Sequence, residues 1–178
     1  MRKIVSGLFI SLDGVVESPE QWHFPYFNEE MGDAVQSMMS SGEAMLLGRR
    51  TYEEFAAYWP TSTDGPAEHM NGTQKYVVSN TLTSAEWQNS TLISGGVKEL
   101  ARLKEQPGGD LSMTGSGTLV TSLLREGLLD KLHLLVHPIV VGTGKRLFGD
   151  GSQVPLRLTD SQIFSNGVLY LTYERADS

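Results

Sequence analysis

The segment LSMTGSGTLVTSLLREGL, residues 111–128, decides the fold, because it joins a short strand to an apolar helix through two glycines. Leu111 to Thr114 has the composition of a buried strand, and the apolar residues that follow recur at helical spacing over residues 118–128. Between them, Gly115-Ser116-Gly117 lets bare backbone approach a ligand, while the helix start presents unpaired N–H groups and a partial positive charge. The junction therefore predicts an anion site, although a glycine pair before a helix also forms simple tight turns.

Strands and helices alternate on both sides of this junction, which predicts an α/β layered domain with a mixed sheet. Further predicted strands cover residues 4–10, 43–48, 75–79, 90–93, 132–141, 156–164 and 168–173, and further helices cover residues 31–39, 51–59 and 97–103. Thr51 and Glu54 form a capping-box pattern, and residues 60–74 read as a loop with one helical turn around Glu68. The run from Leu132 to Val141 is apolar almost throughout, so we expect helices on both faces of the sheet. Ser165-Asn166-Gly167 predicts a hairpin turn between the last two strands.

Composition indicates a single domain spanning residues 1–178 and narrows the function classes. The chain has 178 residues, is 39% hydrophobic and carries a net charge of −7, which argues against a nucleic-acid partner. It has no cysteine, so it has no disulfide, thiolate nucleophile or cysteine-ligated zinc, and its four scattered histidines form no metal-binding pattern. No apolar stretch is long enough for a signal-peptide core or a membrane span. We therefore expect a cytoplasmic protein without a metal or a membrane partner.

A second strand-to-helix junction lies at Gly48-Arg49-Arg50-Thr51. Arginine guanidinium groups match phosphate oxygens bidentately, and here they stand beside the free amides of a helix start. The alternative is that both arginines are solvated residues near a turn. Two such junctions in one domain suit a ligand with separated phosphates, such as a dinucleotide, although the spacing is not that of the Rossmann fingerprint.

The motifs together resemble a known family. In order, they are Ser11-Leu12-Asp13-Gly14, Gly48-Arg49-Arg50-Thr51, Lys75-Tyr76-Val77-Val78-Ser79, Gly115-Ser116-Gly117, Leu128-Leu129-Asp130-Lys131-Leu132, Pro138 and Gly142-Thr143-Gly144. Over essentially the whole chain they resemble the dihydrofolate-reductase-like fold, specifically the reductase domain of bacterial riboflavin biosynthesis and its stand-alone relatives. The resemblance implies a three-layer α/β/α domain with a mixed, mostly parallel sheet and a C-terminal antiparallel hairpin. It also implies an NADPH-dependent reductase that, like relatives, forms a homodimer.

The resemblance assigns the cofactor residues. NADPH is expected at Gly48, Arg49, Arg50, Thr51, Ser79, Gly115, Ser116, Gly117 and Thr118, with the pyrophosphate at the two helix starts. Family members often have a basic residue after the serine, and Asn80 stands there instead, which leaves NADH open unless Arg49 or Arg50 contacts the 2′-phosphate. Ser116 replaces a common glycine, and we expect it still to offer its N–H. The zinc deaminase that often precedes such reductases needs a Pro-Cys-x-x-Cys ligand set, which a chain without cysteine does not supply.

The substrate is expected to be a small molecule with an imine or a carbonyl, as in 5-amino-6-(5-phosphoribosylamino)uracil reductase. Dihydrofolate is an alternative substrate, but Phe27 stands where a folate reductase has its carboxylate, and a phenyl ring assists no protonation. The candidate catalytic residues are Asp13 and His23, with the alternatives of a turn aspartate and a loop histidine. His133 and His137 read as satisfied core or interface residues, and Glu29 and Glu30 as charges that stabilise a helix start.

Two other function classes stay open at this point. The chain fits a dinucleotide-binding protein without catalysis, or a protein with only a structural or interaction role. Gly142-Thr143-Gly144-Lys145 is no Walker motif, because no serine or threonine follows the lysine. It is instead a candidate to line the substrate end of a pocket.

Overall fold

The computed structural model describes residues 1–149 and 151–177, in which strands and helices alternate as predicted. The strands are β1 (Ile4–Ser11), β2 (Ala44–Gly48), β3 (Gln74–Val78), β4 (Ser90–Ile93), β5 (Leu111–Thr114), β6 (Lys131–His137), β7 (Leu156–Ile163) and β8 (Leu169–Arg175). The α-helices are α1 (Glu29–Ser40), α2 (Arg49–Tyr58), α3 (Ala67–Gly72), α4 (Val97–Glu105) and α5 (Gly117–Arg125). Short 3₁₀ turns lie at Pro19–Gln21, Phe24–Tyr26 and Trp59–Thr61.

The strands form one mixed sheet in the order β4-β3-β2-β5-β1-β6-β8-β7. The first six strands in this order run parallel, and β8 and β7 complete the sheet in antiparallel pairs. The final hairpin turns where the sequence predicts it: Gly167 has φ +88°, and the Asn166 side chain accepts the Val168 N–H at 3.1 Å. The mostly parallel sheet with a terminal antiparallel hairpin is therefore confirmed.

Helices cover both faces of the sheet and give three layers. In β2, Ala44 and Leu46 pack into the core under α4 and α5, while Met45 and Leu47 pack with side chains of α2 and α3 on the opposite face. Helix α1 covers β1 and β6 on that second face, where Leu135 is buried. The alternation follows from the period of two in a strand, and it confirms the prediction that β6 is covered on both sides.

Several predicted boundaries are wrong for local reasons. Helix α5 stops at Arg125 rather than residue 128, because Gly127 takes φ +72° and the Leu128 N–H turns back to the Leu123 carbonyl. Strand β6 stops at His137 rather than residue 141, because Pro138 has no N–H to continue a ladder. Residues 60–74 contain the six-residue helix α3, more than the single turn predicted around Glu68.

The predicted capping box at Thr51 is also wrong. Helix α2 begins at Arg49 with Gly48 as its N-cap, so Thr51 lies inside the first turn. Its hydroxyl oxygen accepts the N–H of Ser116 instead of capping its own helix. A local pattern was thus overridden by a contact between residues distant in sequence.

A fully buried lysine fixes α3 to the sheet. Lys75 Nζ donates to the carbonyl oxygens of Met70 at 2.8 Å, Asn71 at 3.2 Å and Thr73 at 2.8 Å, where α3 ends. The ammonium also lies 4.1 Å from the centre of the Trp87 ring. Burial lowers the pKa of Lys75 to about 8, so its three donors remain protonated at neutral pH. Lys75 therefore satisfies carbonyl groups that the short helix leaves free.

Replacing Lys75 by Met should destabilise the protein by about 2–4 kcal/mol, because the Met70 and Thr73 carbonyl groups lose the ammonium donor while the side-chain volume is kept. The Asn71 carbonyl keeps its hydrogen bonds from Gln88 and Asn89. Urea unfolding followed by circular dichroism measures the change. Lys98→Met, at an exposed position of α4, is the control and should stay within about 0.5 kcal/mol of the parent. Equal unfolding midpoints for the two variants would contradict this account of Lys75.

Candidate active site

A cavity of about 880 Å³ opens where β2 and β5 end. From β2 the chain passes through α2 to β3 on one side, and from β5 it passes through α5 to β6 on the other, so the strand order reverses between β2 and β5. Open α/β sheets bind ligands in the crevice at such a switch point. The cavity is in the upper part of the range of about 300–1,000 Å³ typical of small-molecule and cofactor sites.

The two predicted anion junctions meet in this crevice and are hydrogen-bonded to each other. Gly48 N–H donates to Ser116 Oγ at 2.9 Å, and Ser116 N–H donates to Thr51 Oγ1 at 2.9 Å. Gly115 has φ +64°, and a Cβ there would lie 3.1 Å from Thr51 Oγ1, so this position requires glycine. We call this arrangement the Ser116 joint. It brings together residues that lie almost seventy positions apart in the chain.

The joint corrects the expectation for Ser116. Its N–H and its hydroxyl are both used within the protein, so Ser116 positions the junction instead of offering its amide to a ligand. The amides that the helices leave without a partner are those in the first turns of α2 and α5, because they have no carbonyl four residues earlier in a helix. Gly48, Arg49, Arg50, Thr51, Gly115, Ser116, Gly117 and Thr118 all line the cavity.

Lys145 adds a cation that the sequence analysis did not assign to the anion site. Its Nζ donates to Thr118 Oγ1 at the start of α5, and its N–H donates to Glu17 Oε2 at 2.8 Å. With Arg49 and Arg50 it forms what we call the basic end of the cavity. The Gly142-Thr143-Gly144-Lys145 turn was the available sequence feature, but only the fold shows that its lysine lies beside the start of α5.

Asp13 lies outside the cavity lining and holds the loop that carries Lys145. Its carboxylate accepts the N–H groups of Val141 at 3.0 Å and Gly142 at 2.9 Å, and Arg146 lies 3.5 Å away. A hydrogen bond from Ser11, followed by those from Gly142 and Val141, lowers the pKa of Asp13 to about 2. The carboxylate is therefore ionised at neutral pH, which favours a structural role over proton donation.

Ser79 also lies outside the cavity lining. Its hydroxyl oxygen accepts the N–H groups of Thr81 and Leu82, each at 3.1 Å, and so closes the turn after β3. Asn80 Oδ1 accepts the N–H of Gly95 at 2.9 Å. The contact of Ser79 with a cofactor stays a prediction that this geometry does not favour.

At the other end of the cavity, ring and aliphatic side chains replace charged ones. We call this the aromatic end, and its residues are Phe9, His23, Phe24, Phe27, Val35 and Met38. The His23 ring stacks on Phe9 with a centroid distance of 4.2 Å and an interplanar angle of 12°. Phe24 lies tilted against His23 at 4.7 Å, and Phe27 lies edge-on to it at 6.0 Å. The result is a layered surface suited to flat rings.

His23 lines the cavity as an uncharged ring. It is 6% exposed, and burial, followed by the nearby His137, lowers its pKa to about 4. Its Nδ1 is buried without a hydrogen-bond partner in the described structure. Of the two predicted catalytic residues, His23 alone therefore reaches the cavity, and it is neutral at physiological pH.

His137 supports the aromatic end from behind. The rings of Phe9, Trp22, His23 and Tyr26 surround it, each between 76° and 89° to its plane. Its Nδ1 lies 2.8 Å from the Leu135 carbonyl, whereas its Nε2 is buried without a partner in the described structure. His133 Nδ1 lies 2.9 Å from Thr172 Oγ1. His137 is thus a buried core residue, as predicted, but its hydrogen-bonding capacity is satisfied at Nδ1 and not at Nε2.

Phe27 stands at the position where a folate reductase has its carboxylate, so the aromatic end has a phenyl ring there instead of an acid. Its ring lies at the cavity rim, 54% exposed, and within reach of Gly32 on α1. Glu29 and Glu30 lie in the first turn of α1, as predicted, and Glu30 accepts hydrogen bonds from Ser165. Within the described part of the chain, the carboxylates that line the cavity are those of Glu17, Glu20 and Glu54.

The described residues form neither a metal-binding cluster nor a membrane-spanning helix. Within residues 1–149 and 151–177, no three acidic or histidine side chains are grouped so that they could hold a metal ion. Over the same ranges, no helix combines the length and the apolar character needed to cross a lipid bilayer.

Comparison with known proteins agrees with this geometry. The family model of the RibD C-terminal domain matches residues 2–170. The chain belongs to the RibD C-terminal domain family. An uncharacterized protein of Bacillus subtilis strain 168, YyaP, is 28% identical over 179 residues, which covers 97% of this chain and 94% of YyaP.

Solved structures share the fold of this RibD C-terminal domain. A candidate riboflavin biosynthesis protein from Shewanella sp. PV-4 superposes with a TM-score of 0.78 at 21% identity, covering 99% of this chain and 100% of that protein. Dihydrofolate reductase from Enterococcus faecalis, solved with NADP(H), superposes with a TM-score of 0.67 at 16% identity, covering 98% and 97% of the two chains. The dihydrofolate-reductase-like fold is therefore confirmed.

Asp13→Asn should destabilise this RibD C-terminal domain at neutral pH. The folded-state pKa of Asp13 is below its ordinary value of 3.8, so its stabilising effect is present above about pH 4 and is lost as the pH falls toward about 2. Urea unfolding midpoints of parent and variant should therefore differ at pH 7, lie closer together at pH 3 and converge as the pH approaches 2.

The exposed carboxylate of Asp33 on α1 gives the matched control, Asp33→Asn, whose midpoint should follow that of the parent at each pH. A gap between parent and Asp13→Asn that stays constant between pH 7 and pH 3 would show that the carboxylate charge does not hold the loop.

Proposed function

We propose that this protein is an NADPH-dependent reductase that acts on a small imine or carbonyl compound. One observation carries the proposal: the two helix starts, locked together by the Ser116 joint and surrounded by Arg49, Arg50 and Lys145, open into the same cavity as the aromatic end. A dinucleotide needs separated anion contacts and an adjoining apolar surface for a ring. The cavity offers both, at the position where α/β sheets bind nucleotides.

The residues present fit the cofactor. The first-turn amides of α2 and α5 would hold the pyrophosphate, and Lys145 would add a positive charge beside α5. Arg50 has no ion-pair partner among the described residues, whereas Arg49 pairs with Glu53 at 3.3 Å, so Arg50 is the better candidate for the 2′-phosphate. When bound, NADPH would supply a hydride to the substrate carbon and leave as NADP⁺.

The protein's own residues would then orient the substrate, and water would supply the proton that accompanies the hydride. The rings of the aromatic end would cover one side of the substrate and restrict its contact with water, while the open side of the cavity would admit the water that supplies the proton. Neither predicted catalytic side chain is a protonated acid at neutral pH, because Asp13 is ionised outside the cavity and His23 is neutral. The proton that accompanies the hydride to the imine nitrogen or carbonyl oxygen therefore comes from water in our proposal, and His23 acts by packing.

The relatives support this reaction class. The family takes its name from a riboflavin-pathway protein, and the Enterococcus faecalis relative was solved with NADP(H). The riboflavin-pathway aminopyrimidine is accordingly the first substrate to test. Dihydrofolate ranks lower, because Phe27 presents no carboxylate to a pterin.

Stopped-flow and steady-state measurement of reduced nicotinamide absorbance test the proposal. NADPH should bind in calorimetry, and its absorbance should decay with a substrate drawn from the aminopyrimidine, dihydrofolate and a panel of imines and carbonyls. Binding without decay against the whole panel would favour a dinucleotide-binding protein without catalysis. Absence of binding would remove the proposal altogether.

Removing both arginines should weaken NADPH binding about 10- to 100-fold, because charge-assisted hydrogen bonds to phosphate are lost. Calorimetry on Arg49→Ala/Arg50→Ala measures the loss, which should be smaller for NADH if these arginines contact the 2′-phosphate.

Arg102→Ala provides the control for this pair, since Arg102 is an exposed helical arginine with its own ion pair, on α4. Its NADPH affinity should equal that of the parent. If the double variant also binds NADPH as the parent does, the basic end is not the phosphate site.

A further inference from the structure

We infer that the substrate of the proposed reductase is an uncharged planar ring compound without a phosphate group, held at the aromatic end. The inference rests on the proposed function and narrows it. It departs from the phosphoribosyl-bearing aminopyrimidine that the family resemblance suggests. Its basis is the separation of charge along the cavity.

The cationic side chains that line the cavity, as far as the structure describes the chain, lie beside the two joined helix starts. Arg49 and Arg50 open α2, and Lys145 is hydrogen-bonded to the start of α5. Ligand phosphates would be bound there by the helix amides and these three side chains together. A dinucleotide in that position uses the basic end for its own phosphates, so a second phosphate on the substrate would need another cation.

Among residues 1–149 and 151–177, the side chains that form the aromatic end include no such cation. Its members are phenylalanine, valine and methionine side chains together with His23, which the fall of its pKa to about 4 keeps neutral. Glu20, in the segment that leads to His23, also lines the cavity and is acidic, whereas Glu17 accepts the N–H of Lys145 and lies beside the basic end. A phosphate placed there would lose its hydration without gaining a partner, which is costly for a dianion.

The same end has favourable geometry for a flat ring. His23 and Phe9 lie nearly parallel, while Phe27 stands edge-on to His23. Aromatic rings gain from both offset-stacked and edge-on contacts, by about 0.5–1.5 kcal/mol for each pair beyond the burial of area. Met38 adds a flexible side chain that adapts to ring shape.

Calorimetry with matched ring compounds tests the inference on protein saturated with NADP⁺, which fills the dinucleotide site without turnover. The first pair is 2-naphthol and 2-naphthyl phosphate, and the second is the ribosylaminopyrimidine of riboflavin biosynthesis without and with its phosphate. In each pair we expect the uncharged compound to bind at least about tenfold more tightly. Equal or tighter binding of either phosphorylated compound overturns the inference, and so does failure of both uncharged rings to bind.

The outcomes separate this inference from the proposed function. Failure of NADP⁺ to bind removes the proposed reductase, and the inference falls with it. Binding of NADP⁺ combined with a preference for the phosphorylated rings leaves the reductase in place and overturns the substrate class alone.

A variant that adds a positive charge at the aromatic end tests whether the missing cation is what disfavours phosphorylated rings. Phe27→Arg places a guanidinium at the half-exposed rim of the aromatic end and should improve binding of 2-naphthyl phosphate about tenfold. Ile163→Arg, at a 79% exposed position of β7, adds the same charge away from the cavity and should change neither affinity. Melting curves confirm that both variants are folded, and an equal response of the two variants would contradict the inference.

Discussion

The cavity depends on two hydrogen bonds of the Ser116 joint, by which residues at the ends of β2 and β5 fix each other. Ser116 accepts from Gly48 and donates to Thr51, so the first turns of α2 and α5 are held at one distance and orientation. Parallel strands bring these ends near one another, but they do not by themselves set the position of each helix start. The joint does so, and the residues of both first turns line the crevice.

Around this joint the protein separates its charges. Basic side chains and helix starts occupy one end of the cavity, and neutral rings occupy the other. The separation has a structural cause: the basic residues come from the first turn of α2 and from the turn before β7, whereas the rings come from β1 and the segment that precedes α1. Different parts of the chain therefore determine where an anion and where a ring would bind.

Much of this arrangement could be predicted from sequence, because it depends on local pattern. The glycine junctions, the strand and helix periodicity and the Asn-Gly turn each indicated the correct element, and together they indicated the correct family. The features that the sequence did not indicate are contacts between distant residues. Thr51 has the sequence pattern of a helix cap, but its hydroxyl oxygen accepts the N–H of Ser116. Lys145 has the pattern of a loop residue, but its ammonium donates to the hydroxyl of Thr118.

Asp13 is the clearest case of a contact that the local sequence pattern does not predict. An aspartate in a turn after a strand is compatible with catalysis or with a local turn, and both interpretations were open from sequence. Its actual partners are the amides of Val141 and Gly142, more than 120 positions away. No local pattern contains that information.

Asp13 attaches the Gly142–Lys145 turn to the chain segment that follows β1. Arg146 donates to the Asp13 carbonyl, and Leu147 N–H donates to the Gly14 carbonyl, so the turn is bound along its length. These hydrogen bonds tie the position of the Lys145 ammonium beside α5 to that of the chain segment that follows β1. Substitutions in this surface turn can therefore shift the Lys145 ammonium and change how strongly the cavity attracts an anion, even at positions that do not line the cavity.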